Sequence, residues 1–256
     1  NNIEIKDNTI KLPKLGKLRL KKKIDNINKI NNVTIFKRLN KYYVSISFET
    51  ELDNILKEKQ IPKPINYAIG IDLGLTDYAI LSNGTKYKNH KYLKQYEKKL
   101  AKLQKQLSKC QKDSNNYNKL RSRINKLHFK IANSRKDYLH KLSRTIINEN
   151  QVVVVESLKI KNMLKNKKLS KHIQDASWAT FITYLDYKAT WYGRELIKLD
   201  TFYPSSQLCS SCGFKNKAVK DLKIRSWECP NCKANHDRDI NAAINIKNKG
   251  LILMTS

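Results

Sequence analysis

Residues 67–74, YAIGIDLG, form a run of mostly apolar side chains that ends in one carboxylate and a glycine. Apolar residues on both faces of so short a segment suit a strand buried within a sheet. Asp72 then lies at or near a strand end, where an unpaired charge is costly unless a cation, a hydrogen-bond donor or water meets it. A metal ion would serve; the alternative is the first residue of a solvated turn. The pattern recurs. Residues 151–156, QVVVVE, are a second apolar, β-branched run closing on a carboxylate, Glu156, and Asp237 and Asp239 in HDRDINAAINI open a third element. Three such ends can converge at one edge of a sheet.

Beyond YAIGIDLG come DYAILS and NGTKYKN, and Asn83-Gly84 between strand-like residues predicts a β-hairpin. From Lys91 to Asn150 the apolar period lengthens. Leu93, Tyr96, Leu100, Leu103, Leu107 and Cys110 make one stripe, and Tyr117, Leu120, Ile124, Leu127 and Ile131 a second. This predicts a helical hairpin with a heptad-like seam, in which Cys110 is a buried small hydrophobe. Its outer faces, KKLAKLQKQLSK and NKLRSRINK, are crowded with cations of one sign, which suits phosphate tracking as well as solvation. After QVVVVESLKI, residues 162–171 (NMLKNKKLSK) read as a basic, mobile loop. A helix follows from Asp175-Ala176-Ser177, with Trp178, Phe181, Ile182, Leu185 and Trp191 on its buried face, and Gly193 precedes a further short strand, ELIKLD.

Upstream of YAIGIDLG, the segments IEIKDNTIKL, KLRLKK, NVTIFKRL and KYYVSISFE alternate apolar with polar. A small antiparallel sheet or open barrel with a basic outer face is expected there. EKQIPKPI, residues 58–65, carries two prolines and reads as a linker.

Lys and Arg number 52 against 22 acids, a formal charge of +30 on 256 residues. Such an excess repels itself in a compact chain, so a polyanionic partner is indicated, with nucleic acid ahead of an anionic membrane. There is no apolar run of membrane-span length and no signal-peptide pattern at the start, which reads as an intracellular protein. Four of the five cysteines form two CxxC pairs, Cys209/Cys212 and Cys229/Cys232. That is zinc-ribbon spacing rather than a disulfide framework: four thiolates close a tetrahedral shell, leaving a structural ion with no open position.

GIDLG, VVVVES, YPSSQLCSSCG, the second CxxC and HDRDINAAINI follow one another as they do in the TnpB (OrfB) proteins of insertion sequences, the transposon-encoded ancestors of type V CRISPR effectors. The chain resembles that family from about Tyr67 to the C-terminus, including SRKDYLHKLSR and DASWATFITYLDYKATWYGREL. The resemblance implies an α/β fold: an RNase H-like (RuvC) nuclease domain with a helical hairpin insertion and a zinc ribbon, preceded by part of a small β-barrel, wedge-like domain. The corresponding boundaries are 1–62 for the partial barrel, 63–206 for the RuvC domain with the hairpin at 91–149, 207–234 for the ribbon and 235–256 for the last RuvC segment. By motif position Asp72, Glu156 and Asp239 are similar to the first, second and third catalytic acids, and Asp237 is the less favoured choice for the third. Family members bind a guide RNA derived from the transposon end, recognise a short duplex motif and cut the DNA that pairs with the guide. The implied partners are therefore guide RNA and target DNA, with no membrane, in a cytoplasmic protein that is nucleoid-associated when bound to DNA.

The residue types agree with that chemistry. Hard Mg²⁺ or Mn²⁺ takes oxygen ligands, and two ions about 3.5 to 4 Å apart can activate water and steady the leaving oxygen of a phosphodiester. Asp72 is the expected bridging ligand. Arg225 and Arg238, with Arg121 and Arg123 on the hairpin, are candidates for phosphate contact, with surface salt bridges as the alternative. Two other functions compete: a nuclease-silent or truncated accessory or repressor protein of a transposon, and a protein that itself joins transposon ends, which fold alone cannot decide. Family members usually carry a longer N-terminal region, whereas this sequence begins with Asn1 partway through what resembles the barrel; a truncated, split or trimmed polypeptide is the expectation.

Overall fold

The computed structural model of the chain describes residues 2–25, 27–51, 66–201 and 203–255. It divides into two units, Asn1–Ile61 and Pro62–Ser256. The linker expected at 58–65 lies outside the described residues.

In the first unit, β1 (Glu4–Lys6), β2 (Thr9–Leu12) and β3 (Gly16–Arg19) form an antiparallel meander that buries Ile10 and Leu12. β4 (Lys29–Arg38) and β5 (Lys41–Glu49) form a separate long antiparallel ribbon. The alternation gives strands where they are expected, but among the described residues no ladder joins the two sheets, so they do not close into a barrel. Most of β4 is exposed, with Ile35 and Phe36 among its uncovered side chains.

The second unit is built on β6 (Asn66–Leu73), which contains YAIGIDL. β7 (Asp77–Leu81) and β8 (Lys86–Lys88) continue it as an antiparallel meander, with Asn83-Gly84 in the β7–β8 turn. The hairpin helices are α1 (Tyr92–Leu107) and α2 (Asn115–Glu149), and the chain then enters β9 (Asn150–Glu156), parallel to β6. Three helices follow, α3 (Ile160–Met163), α4 (Ser170–Ala176) and α5 (Trp178–Trp191), before β10 (Glu195–Leu199) pairs parallel with β9. Last come a 3-10 turn at Lys217–Lys220, the small hairpin β11 (Ser226–Glu228) and β12 (Asn235–Asp237), and α6 (Arg238–Thr255). The strand order of the large sheet is β10-β9-β6-β7-β8.

The hairpin seam forms from both predicted stripes: Leu100, Ile124, Leu127 and Ile131 are buried, with Leu93, Tyr96, Leu103 and Leu107 packed against them. Ser114 starts α2 by accepting the amide of Tyr117, an N-cap. Cys110 departs from expectation. α1 ends at Leu107, so Cys110 lies beyond the helix and is half-buried. The second half of α2 leaves the seam and turns Leu139, Leu142, Ile146 and Ile147 into the core, where α5 contributes Phe181 and Leu185. Residues 162–171, expected as a loop, contain parts of α3 and α4. α5 starts at Trp178 because Ser177 is left-handed (φ 54°) and separates it from α4, to which Asp175 belongs. On α5, Trp191 is 40% exposed and Lys188 is buried instead, its ammonium donating to the His140 carbonyl and to Ser143 Oγ, both at 2.6 Å.

Candidate active site and cysteine cluster

Asp72 and Glu156 are placed by strand register. In the parallel β6–β9 ladder Ile71 lies opposite Val155, so the next residue on each strand is a carboxylate and the two are neighbours. Side chains alternate between faces along a strand, and Asp72 therefore shares a face with Gly70 and Ala68, and Glu156 with Val154 and Val152. α6 covers that face. A Cβ on Gly70 would lie 2.1 Å from the Ala243 carbonyl oxygen and 2.6 Å from the Lys247 nitrogen, so only glycine lets the helix backbone rest on β6. Gly250 makes the matching approach to Val154. Asp239, Ala243, Ile246 and Gly250 follow the 3.6-residue period along the helix, so the stripe that rests on the sheet begins with Asp239. All three predicted acids thus reach the same corner. Ile69, Ile71, Val153 and Val155, on the alternate positions, are no more than 2% exposed.

The electrostatics agree. Burial, then the charges of Asp239 and Glu156, push Asp72 up from the ordinary 3.8 to about 7, against the smaller opposing pull of Arg238 and Arg225. Burial likewise pushes Glu156 up to about 7. Asp72 therefore sits in a half-buried corner under the charge of two further acids.

Asp237 is hydrogen-bonded through both carboxylate oxygens. Its Oδ1 accepts the amides of Asp239 and Ile240, each at 3.0 Å, and its Oδ2 accepts from Lys86 Nζ at 2.6 Å. Burial works to raise its pKa, but Lys86 and those amides hold it below the usual carboxylate range. Arg225 Nη1 reaches Asp239 Oδ2 at 3.4 Å and stays largely exposed. Arg238 is 7% exposed and donates to the Asp221 carbonyl at 3.2 Å, so its guanidinium faces protein. Arg121 and Arg123 are exposed on α2, and Arg123 lines a groove with Lys99, Lys126 and Lys130 between the hairpin helices.

The four cysteines of the CxxC pairs converge, with all four sulfurs within 4.8 Å of one another. Both pairs sit in knuckles of one design: the first cysteine's carbonyl accepts the amide of the residue after the second, Gly213 or Lys233, each of them left-handed. The Cys209–Cys232 and Cys212–Cys229 sulfurs are 3.6 and 3.7 Å apart. Four sulfurs about 2.3 Å from a central zinc in a tetrahedron would be about 3.8 Å apart, so the cluster fits that ion. Val219 and Trp227 pack beneath it. His236 Nε2 lies 3.0 Å from Cys209 Sγ.

Two residues that the sequence reading did not single out tie this cluster to the carboxylates. Asn241 donates to the Leu208 carbonyl at 2.7 Å and accepts the Ser210 amide at 2.9 Å. Asn245, one turn later, donates to the Ser205 and Leu208 carbonyls. Both are buried on α6, so they clamp the first knuckle to the helix that carries Asp239. Their signal is legible in retrospect: two asparagines one turn apart in an otherwise apolar helical stretch need buried partners.

Comparison with known proteins agrees with these features. The OrfB_IS605 family profile, described as "Probable transposase", matches residues 45–167, and the profile of the Cas12f1-like TNB domain matches residues 178–246. Two similar proteins carry the name "Putative RNA-guided DNA endonuclease". One, from Streptomyces pristinaespiralis, is 41% identical over 184 residues, covering 72% of this chain and 45% of the relative. The other, InsQ of Escherichia coli K12, is 32% identical over 259 residues, covering 95% and 62%. The chain therefore spans about half the length of these relatives. Among solved structures, the Cas12f1–sgRNA–target DNA complex contains a chain that superposes with a TM-score of 0.51 at 18% identity, over 84% of this chain and 55% of that one. A CRISPR–Cas12f ternary complex gives 0.53 at 20% identity, over 84% and 44%. That likeness is one of fold. Among the described residues, no helix is long and apolar enough to cross a membrane. Both profiles match in order, with the acid and cysteine motifs lying within or beside them, so over these residues the chain is similar to the TnpB (OrfB) family.

Proposed function

We propose that this chain is the nuclease portion of an insertion-sequence RNA-guided DNA endonuclease, hydrolysing phosphodiesters at an RNase H-like (RuvC) site made by Asp72, Glu156 and Asp239. The observation that carries the reading is the register: Asp72 and Glu156 are neighbours on parallel strands, on the face covered by the helix that bears Asp239. The central parallel pair, extended on one side by the β6-β7-β8 meander and on the other by β10, supports the reading.

The donor set suits divalent cations. Among the described residues the four thiols alone bring three or more candidate ligand atoms within 4.8 Å of one another, and support for the carboxylates as a set comes from the strand register and from the charges of Asp239 and Glu156 acting on Asp72. Asp72, Glu156 and Asp239 would hold a pair of hard divalent ions through their carboxylate oxygens. Asp72, flanked by the other two acids, is the bridging candidate. Bound there, Mg²⁺ or Mn²⁺ would supply an activated water and a stabilised leaving oxygen. The chain's own part is to hold the carboxylates on a sheet and helix, with Arg225 Nη1 3.4 Å from Asp239 Oδ2. A zinc ion in the thiol cluster would keep the first knuckle, and through Asn241 and Asn245 the start of α6, in place.

The partners follow from the family and the charge: a guide RNA from the transposon end, and the DNA that pairs with it. Arg121, Arg123 and the neighbouring lysines offer the hairpin as a phosphate-tracking surface. The test is Mg²⁺-dependent cutting of a guide-matched DNA by the purified protein with its copurifying RNA. Asp72→Ala should abolish cutting and leave nucleic-acid binding within about twofold, since a metal ligand at a strand end makes no phosphate contact of its own. Binding without cutting by the native chain would favour an accessory or repressor protein, and cutting that persists in Asp72→Ala would refute the assignment.

A further inference from the structure

The turn that leads into α6 contains a fourth acid, and its partners point to a different task from that of the other three. Asp237 precedes the first residue of the helix, and its Oδ1 accepts the amides of Asp239 and Ile240, the second and third helical residues. Those amides have no acceptor within the helix, which makes this an N-cap. The other oxygen, Oδ2, accepts from Lys86 Nζ at 2.6 Å. Lys86 belongs to β8, the edge strand of the large sheet, more than 150 residues earlier in the chain. Both carboxylate oxygens of Asp237 are therefore committed, one to the helix start and one to the sheet edge.

We propose that Asp237 and Lys86 are positioning residues for the third carboxylate: Asp237 fixes the first turn of α6, and Lys86 moors that cap to β8, so that Asp239 is presented to Asp72. The proposal rests on the reading of Asp72, Glu156 and Asp239 as a divalent-metal site. It also settles how two acids two residues apart divide their work. Gly70 and Gly250 anchor the helix from its second turn onward, and Asn241 and Asn245 hold the knuckle to it, but Asp239 lies in the first turn, ahead of all four contacts. Helix ends fray when their amides lose a partner, and a frayed first turn would move Asp239 while leaving the rest of the fold in register. A residue acting only on stability would change melting without changing the affinity for the ion. A residue that presents a ligand changes the affinity.

The experiment uses the full chain with its RNA and a matched DNA. It measures the Mn²⁺ concentration for half-maximal cutting and the rate at saturating Mn²⁺, together with Mn²⁺ binding in the absence of DNA by electron paramagnetic resonance. Asp237→Ala removes cap and ion pair, Asp237→Asn keeps an oxygen for the amides but loses the ion pair, and Lys86→Met loses the ion pair alone. Asp237→Ala should raise the half-saturating Mn²⁺ about tenfold, the size of a lost N-cap, with the saturated rate within about threefold of native. Asp237→Asn and Lys86→Met should each raise it only about twofold to threefold, as expected of an exposed ion pair. The proposal is overturned if Asp237→Asn is as inactive as Asp239→Asn at every Mn²⁺ concentration, which would make Asp237 a ligand, or if Asp237→Ala matches native. It is also overturned if Lys86→Met weakens DNA binding with no change in Mn²⁺ dependence. Failure of the underlying metal-site reading looks different: Asp239→Asn itself would then bind Mn²⁺ as native does.

Discussion

The sulfur atoms of Cys209, Cys212, Cys229 and Cys232 all lie within 4.8 Å of one another, supplied by two knuckles of the same local design, and each knuckle is closed by its own backbone hydrogen bonds. Asp72, Glu156 and Asp239 come instead from a strand, a second strand and a helix that meet only because the whole sheet is assembled. The thiol cluster is a compact set suited to holding the fold, whereas Asp72 and Glu156 are held close to neutral pKa at the ends of the two central strands. One set of ligands stabilises the molecule when filled. The other, as proposed, would cost stability when empty, which is the usual position of a functional site.

Replacing one ligand from each set breaks the comparison most directly, and the effects should have opposite signs. Asp72→Asn should lower cutting on the order of a thousandfold, about 4 kcal/mol of barrier, while leaving melting of the protein without Mg²⁺ unchanged or higher, because a repelled carboxylate has been removed. Cys229→Ser should do the reverse to stability. It opens the shell that a zinc ion would close, and released zinc, lower melting and loss of cutting should appear together, since the knuckle is clamped to α6 by Asn241 and Asn245. Zinc release measured with a chelating dye, beside a thermal melt, checks this. A Cys229→Ser protein that keeps native cutting would uncouple the two sites.

A smaller effect is expected at the contact between β6 and α6. Gly70→Ala would place a methyl group 2.1 Å from the Ala243 carbonyl oxygen, and backbone atoms on both sides leave little room to yield. The helix must lift, at about 1–3 kcal/mol for such overpacking. Because Ala243 is one turn beyond Asp239, cutting should fall more than the stability loss alone would produce. Assay well below the melting point separates the two. Cutting that tracks only the folded fraction would show that the placement of Asp239 does not depend on this approach.

How much of this was legible in the chain follows the same division. The cysteine spacing is local information, and it names the four thiols that the fold brings together. The carboxylates were legible as strand ends and by family motif, and the period of two along AIGID and VVVVE already puts Asp72 and Glu156 on definite faces once the strands are paired. What could not be read was non-local. Nothing in IGI distinguishes a glycine that receives a helix backbone from one in an ordinary strand, and nothing in HDRD says that Asp237 faces Lys86. Nothing in HDRD says that Arg238, a candidate for phosphate contact, folds against the Asp221 carbonyl. Cys110 continued a stripe on paper because the seam's period outlasts the helix by three residues. Alternation in the first unit specified strands but not their closure, since ladders between sheets are set by partners distant in sequence.

The gentlest perturbation is pH, and it tests the carboxylate half of the comparison without a mutation. Asp72 and Glu156 have ordinary values of 3.8 and 4.5 and are held at about 7 in the folded chain. Between about pH 4 and 7 the folded state therefore keeps protons that the unfolded chain has released, and stability without Mg²⁺ must fall as pH rises through that window and level off above it. A divalent ion competes with the same protons, so the Mg²⁺ needed for half-maximal cutting should fall as pH rises toward 7 and then become constant. Chemical denaturation at pH 5, 6, 7 and 8, in buffer dialysed free of Mg²⁺ without a chelator so that any zinc is retained, reads the first slope, and Mg²⁺ titrations of cutting read the second. Asp239→Asn removes one of the charges that raise Asp72 but leaves burial, the larger cause, so it should narrow the stability window without closing it. A stability profile that instead rises from pH 5 to 7 would mean that the carboxylates are already paired in the folded chain, and that the corner does not need a cation.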